Sequence, residues 1–156
     1  MKKLILFLGC ILINIGCLSA AVVPEYELEG SGTGSQGTYL LTVSVLTKNK
    51  NIDSKQLGKA AVHGVLFKGF SNKDLRQHQK PLAGSAAVEA SHPEYFEGFF
   101  SDNGAYKNYV ESVGGSRAVV KSGKQYKVSA KVIVNKEQLR KDLEQAGVIK
   151  GFNSIF

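Results

Sequence analysis

Between Thr38 and Thr47 the chain alternates: Tyr39, Leu41, Val43 and Val45 fall on one face of an extended strand, with Thr42 and Ser44 on the other. A second run from Lys124 to Val134 does the same, with Tyr126, Val128, Ala130, Val132 and Val134 in step. A period of two marks half-buried strands, and the apolar face of each must be covered by another layer. Glu25 to Glu29 reads as a short first strand, joined to the Thr38 run by the flexible stretch Gly30 to Gly37. Arg117 to Lys121 reads as the partner of the second run. Strands grouped as neighbouring pairs favour an α+β fold, with an antiparallel sheet of about four strands in a single domain.

The covering layer is expected from about three helices packed mainly on one face. Asp53 or Ser54 caps the first, in which Leu57, Ala60, Ala61, Gly64 and Phe67 recur at helical spacing. Its glycines, Gly58 and Gly64, cost about 1 kcal/mol each against alanine in an exposed helix. On a single stripe they point instead to close packing on the sheet. Ser71 to Ala90 shows no clean period and reads as a long surface loop. Ser91-His92-Pro93-Glu94 has capping-box spacing and opens a helix to about Phe100. Ala105 to Val113 resumes helically after the Asp102-Asn103-Gly104 break. Asn135 caps the last helix, Lys136 to Ala146, and Gly147 ends it with Val148 and Ile149 folding back. Phe152, Ile155 and Phe156 make the tail apolar enough to dock.

The first twenty residues have the order of a secretory signal peptide: Met1-Lys2-Lys3, an apolar run from Leu4 to Ile15, then small residues at Ser19, Ala20 and Ala21. The run is about a dozen residues, short of the roughly 20 that span a bilayer, and no later segment is apolar enough to cross. Cleavage after Ala20 leaves residues 21–156, without either cysteine (Cys10, Cys17). It also leaves 18 basic against 13 acidic residues, a net charge of +5. The alternative is a lipoprotein anchored through Cys17, with Gly16 before it; Asn14 stands where a lipid-attachment box usually has leucine. Either route makes the protein exported, to the periplasm, the cell envelope or the medium.

Motifs for chemistry are weak. Gly32-Thr33-Gly34-Ser35-Gln36-Gly37 spells G-x-G-x-x-G, but a dinucleotide site needs a helix at the last glycine and a strand follows here. His63, His78 and His92 lack metal-ligand spacing, so no metal and no cofactor is expected. No Gly-x-Ser-x-Gly or Ser-x-x-Lys occurs. Carboxylates for hydrolysis would come from Glu89, Glu94, Glu97, Asp102 and Glu111, which read more simply as a solvated face. Six aromatic residues lie between Tyr95 and Tyr109. Phe96, Phe99 and Phe100 form a core stripe, whereas Tyr95, Tyr106 and Tyr109 could present rings to a sugar or base.

A three-residue hairpin loop at Lys121-Ser122-Gly123 would pair Val120 with Lys124, Ala118 with Tyr126 and Arg117 with Lys127. That register puts Ala118 on the core face and gathers Arg117, Lys127 and Lys131 on the other. The gathered cations form either a charged edge that resists aggregation or a patch for an acidic glycan or lipid surface. Nucleic acid is not the expected partner.

The segments "GTGSQGTYLLTVSV", "AAVHGVLFKGF", "QKPLAGSAAVE" and "LRKDLEQAGVIKGF" resemble a family of small exported proteins of gut-type Gram-negative Bacteroidales. The resemblance implies an envelope or extracellular location and carries no catalytic or binding residues. The functional expectation is an exported, non-enzymatic envelope or secreted module that binds a ligand or serves a structural role. The alternative is a small exported hydrolase with a carboxylate or serine site.

Overall fold

A computed structural model describes residues 23–32, 34–73 and 75–151. The signal segment, Cys10, Cys17 and the apolar tail residues Phe152, Ile155 and Phe156 lie outside the described residues. The expected long strands are present as β2 (Thr38–Thr47) and β7 (Gln125–Asn135), and β1 (Tyr26–Gly30) pairs antiparallel with β2. Strands β2 and β7 run side by side in an antiparallel ladder from Thr38↔Asn135 to Thr47↔Tyr126. This register sets Leu41 against Val132, Val43 against Ala130 and Val45 against Val128, all buried. Each fully buried valine or leucine contributes roughly 1.5–3 kcal/mol of hydrophobic stabilisation.

Helix α1 (Ser54–Phe67) covers that face, with the Asp53 carboxylate accepting from Lys55 N–H at its start. Its glycines are close-packing positions, as their stripe implies. A Cβ on Gly64 would stand 2.7 Å from Leu28 Cδ2 and 2.9 Å from Tyr26 Cε2, and one on Gly58 would stand 3.1 Å from Val110 Cγ1. Helix α1 therefore sits nearer the sheet than side chains at these positions would allow.

The sheet is larger than expected and is mixed rather than wholly antiparallel. Among the described residues seven strands form it, in the order β4 (Gln77–Gln79), β3 (Phe70–Asn72), β1, β2, β7 and β5 (Val110–Ser112), with β6 (Ala118–Ser122) also on the outer edge of β7. The region read as a loop holds β3 (Phe70–Asn72), β4 (Gln77–Gln79) and the five-residue helix α2 (Ala87–Ser91). Strand β3 joins β1 in parallel through Glu29↔Ser71. Three-residue strands are too short to show a period, which is why pattern reading passed over them. Helix α3 (Pro93–Phe99) starts with proline as expected, but its N-cap is His92, without a side-chain cap bond. Ser91 ends α2 and donates to Val88 O, so the capping box does not form.

The stretch read as helix to Val113 is a 3-10 turn, Ala105–Tyr109, followed by β5 (Val110–Ser112) on the edge of β7. Helix α4 (Lys136–Gln145) has its Asn135 cap, which accepts from Gln138 N–H. Gly147 (φ +70°) ends it in the left-handed conformation, with Gly147 N–H bonded to Glu144 O and Val148 N–H to Leu143 O. Leu139 and Leu143 complete one continuous core with Phe67, Phe96, Phe99 and Phe100.

The hairpin register differs from expectation by three residues. Ser122 pairs with Gln125, leaving a two-residue loop with Gly123 (φ +59°) in first position, where a type II′ loop takes glycine. An odd shift moves a strand's side chains to the opposite face. Ala118 therefore pairs with Ser129 on the open face, away from the core, and Val119 pairs with Val128.

Candidate functional site

A concavity of about 360 Å³ lies where the glycine-rich connection, the β3–β4 hairpin and the start of α4 meet. Three contacts from distant parts of the chain build it. Asn72 on β3, only 6% exposed, donates from Nδ2 to Gly32 O (3.2 Å) and accepts from Leu75 N–H at Oδ1 (3.1 Å). It occupies the space that a side chain on Gly30 would need, since a Cβ there would lie 2.6 Å from Asn72 Cβ. At the other side Glu137 N–H donates to Gly37 O (3.2 Å) and ties α4 to the loop. The G-x-G-x-x-G stretch is thus a hairpin connection that runs straight into β2, as its sequence context indicates.

The lining is polar without being strongly charged. Tyr39 projects from β2 with its ring T-shaped to Phe70 (centroids 4.9 Å apart, 78°) and its hydroxyl donating to Gln79 Oε1 (3.3 Å). Lys136 Nζ lies 4.6 Å from the centroid of the same ring. Burial raises the Tyr39 hydroxyl above its ordinary pKa and keeps it protonated as a donor. The side chains of Ser35, Gln36 and Gln77 have no hydrogen-bond partner among the described residues. Asn72, Gln77 and Gln79 belong to the segment read as a loop. The available signal was two short polar-apolar runs around the Lys73–Arg76 turn.

The three cations expected to form a patch are separated. Arg117 donates to Ile52 O (2.8 Å) and Lys50 O (2.9 Å), clamping the segment before α1 on the helix-bearing side. Lys127 and Lys131 are on the open face, where Lys127 Nζ pairs with Glu27 Oε2 at 2.6 Å. The hydrogen bond and charge of Lys127 hold the Glu27 carboxyl below its ordinary pKa. Lys127 and Glu27 line a second hollow of about 290 Å³ with Ser44, Leu46 and Ser122. The Arg117–Lys127 juxtaposition required the three-residue loop, and it is absent from the observed register.

The tyrosines are largely internal. Tyr106 and Tyr109 are 3% and 7% exposed, so neither presents a ring face to solvent. Tyr109 stacks on Phe99 (5.8 Å, 21°) and donates its hydroxyl to Asp142 Oδ2 (2.7 Å), joining the 3-10 turn to α4. Tyr95 is half-buried and stacked on Phe99 (5.9 Å, 18°). Six aromatic residues in fifteen are therefore a core cluster, tyrosines included.

His63, in α1, stands in a polar chain that joins side chains from three elements. Its Nε2 lies 3.2 Å from Glu89 Oε1, and its Nδ1 lies 2.7 Å from the Tyr26 hydroxyl. A carboxylate only accepts, so Nε2 carries the proton and Nδ1 accepts from Tyr26. Burial lowers the His63 pKa, against the opposing pull of Glu89, and the ring packs between Phe67 and Phe100. Burial, then Glu89, raises the Tyr26 hydroxyl well above its usual value, which opposes its acting as a nucleophile. The chain ties α1 to β1 and α2. Glu94, Glu97, Asp102 and Glu111 are exposed. His78 lies on β4 beside Ser71 (3.2 Å), and among the described residues no three His, Cys, Asp or Glu side chains cluster as a metal site.

No protein-family model matches this chain, and no curated protein or solved structure matches it. Among the described residues, no helix is long and apolar enough to cross a membrane.

Proposed function

We propose that the protein is an exported, non-enzymatic binding module of the envelope or its surroundings, with its ligand seated in the cleft between the glycine-rich connection and the β3–β4 hairpin. One observation carries this reading: the cleft collects side-chain donors and acceptors without a partner among the described residues, at Ser35, Gln36 and Gln77, whereas Tyr26, His63 and Glu89, and Tyr109 and Asp142, are tied to one another. Ligand sites combine a formed concavity with a few convergent polar groups, at volumes of about 300–1,000 Å³. Here Asn72 and the Glu137–Gly37 bond hold the walls in place.

Hydrogen exchange tests the location before the ligand is known. Adding envelope extract from the native host should slow exchange in residues 31–40 and 70–79. Protection confined to residues 117–131 would return the site to the basic hairpin, and no protection at all would defeat the binding reading. The exported state is tested by intact mass from the host: Ala21 at the N-terminus is expected, and a diacylglyceryl group on Cys17 would make the protein a lipoprotein.

The hydrolase reading has one observation in its favour, the His63–Glu89 pair. It would require His63 to exchange protons with a substrate while its Nδ1 is held by Tyr26. Ester or glycoside hydrolysis by the purified protein, lost in His63→Gln, would establish that reading instead.

A further inference from the structure

We infer that the ligand of this cleft is a neutral carbohydrate, a proposal that rests on the cleft being the binding site. The formal charges in the lining, Lys136 and Glu137, have opposite signs, and the Lys136 ammonium is already set on the Tyr39 ring. The N-terminus of α4 is not free for an anion either, because Asn135 takes Gln138 N–H and Gly37 takes Glu137 N–H. A carboxylate, phosphate or sulfate entering here would lose hydration, would meet Lys136 only with the Glu137 carboxylate next to it in the lining, and would gain no free helix terminus.

A sugar hydroxyl donates and accepts at once, and vicinal hydroxyls need partners that can do both. A glutamine amide does so with one planar group, offering a carbonyl oxygen and two N–H bonds. Gln36 and Gln77 bring whole amides, and Gln79, whose Oε1 receives the Tyr39 hydroxyl, keeps its N–H donors. Ser35 adds a hydroxyl.

Leu75, 44% exposed, offers hydrocarbon surface suited to the C–H groups of a pyranose, and the buried Phe70 backs the cleft behind it. Stacking of a flat nucleobase on Tyr39 is disfavoured where Lys136 already lies over the ring. A cleft of about 360 Å³, open along one side, suits a mono- or disaccharide unit of a longer chain.

The experiment measures retention of the protein on immobilised neutral glucans, mannans and galactans. Uronic-acid and sulfated polysaccharides, and a set of uncharged peptides, run beside them. The double variant Gln77→Ala, Gln79→Ala and the variant Tyr39→Phe probe the cleft, and Lys127→Gln with Lys131→Gln probes the open face. The expected result is binding to at least one neutral glycan, weakened about tenfold or more in the double variant and several-fold in Tyr39→Phe. The lysine variant should bind as the parent does, and far-ultraviolet circular dichroism should be unchanged throughout. Failure to bind any neutral glycan, or equal binding by the double variant, overturns the inference. Retention on uncharged peptides alone, still lost in the double variant, overturns the carbohydrate class and leaves the cleft as the site. Retention on sulfated chains alone, lost in the lysine variant, overturns both.

Discussion

Strand β2 serves two regions with opposite requirements. From Leu41 to Val45 its inward side chains lie beneath α1 in a core without a solvent-exposed atom of consequence. Two residues earlier, Tyr39 shares the same face but lines a cleft of amides and backbone. The core is specified by repetition, since neighbouring strands present the same apolar alternation and any register slip of one residue would bury polar groups. The cleft is specified by single contacts: Asn72 to Gly32, Glu137 to Gly37, and Tyr39 to Gln79. Stability should therefore depend steeply on the first region and weakly on the second, while binding should show the reverse.

The strongest test of that contrast is Leu41→Ala. Removing a fully buried leucine from the middle of the ladder should cost about 2–5 kcal/mol, read from urea unfolding. A loss no larger than that of a surface substitution would mean that the core is not where stability resides.

Next is Gly64→Ala. Alanine favours an isolated helix by about 1 kcal/mol, yet its Cβ would collide with Leu28 and Tyr26. Overpacking should win, with a net loss of about 1–3 kcal/mol. Gly98→Ala in α3, where the added Cβ meets nothing within 4 Å, should be neutral or stabilising. If both substitutions stabilise, α1 does not approach the sheet as closely as described.

A smaller effect is expected from acid. Burial sets the His63 pKa in the folded chain below its ordinary value of 6.5, so just under that pH the unfolded chain takes up a proton that the folded chain refuses. This contribution to stability is complete above pH 6.5, declines as pH falls, and levels off beneath the folded pKa. Urea midpoints at pH 7 and about 5.5 should converge in His63→Gln relative to the parent. An identical acid response in both proteins would remove His63 from the account.

The smallest effect on stability is expected where the effect on binding is largest. Gln77→Ala with Gln79→Ala should change unfolding free energy by no more than about 0.5 kcal/mol per site, because both side chains sit at the rim of the cleft. A loss of several kcal/mol would make them part of the framework and blunt their use as binding probes.

Local pattern and chemistry determined a good deal of this. The apolar faces of β2 and β7, the Asp53 and Asn135 caps, the Gly147 stop and the close-packing role of Gly58 and Gly64 were legible, because each depends on neighbours within one helical turn or on strict alternation. Tertiary structure alone decided the rest. The β6 register turned on whether the hairpin loop has two residues or three, and that choice sent Arg117 to the carbonyls of Lys50 and Ile52 rather than to Lys127. Strands β3 and β4, three residues each, take their conformation from pairing with β1 and with each other. The cleft joins residues 30–40, 70–79 and 136–137, and no local signal links segments so far apart. It forms where loop closure and cross-chain hydrogen bonds bring those three segments together, a cost that the burial of the shared core offsets.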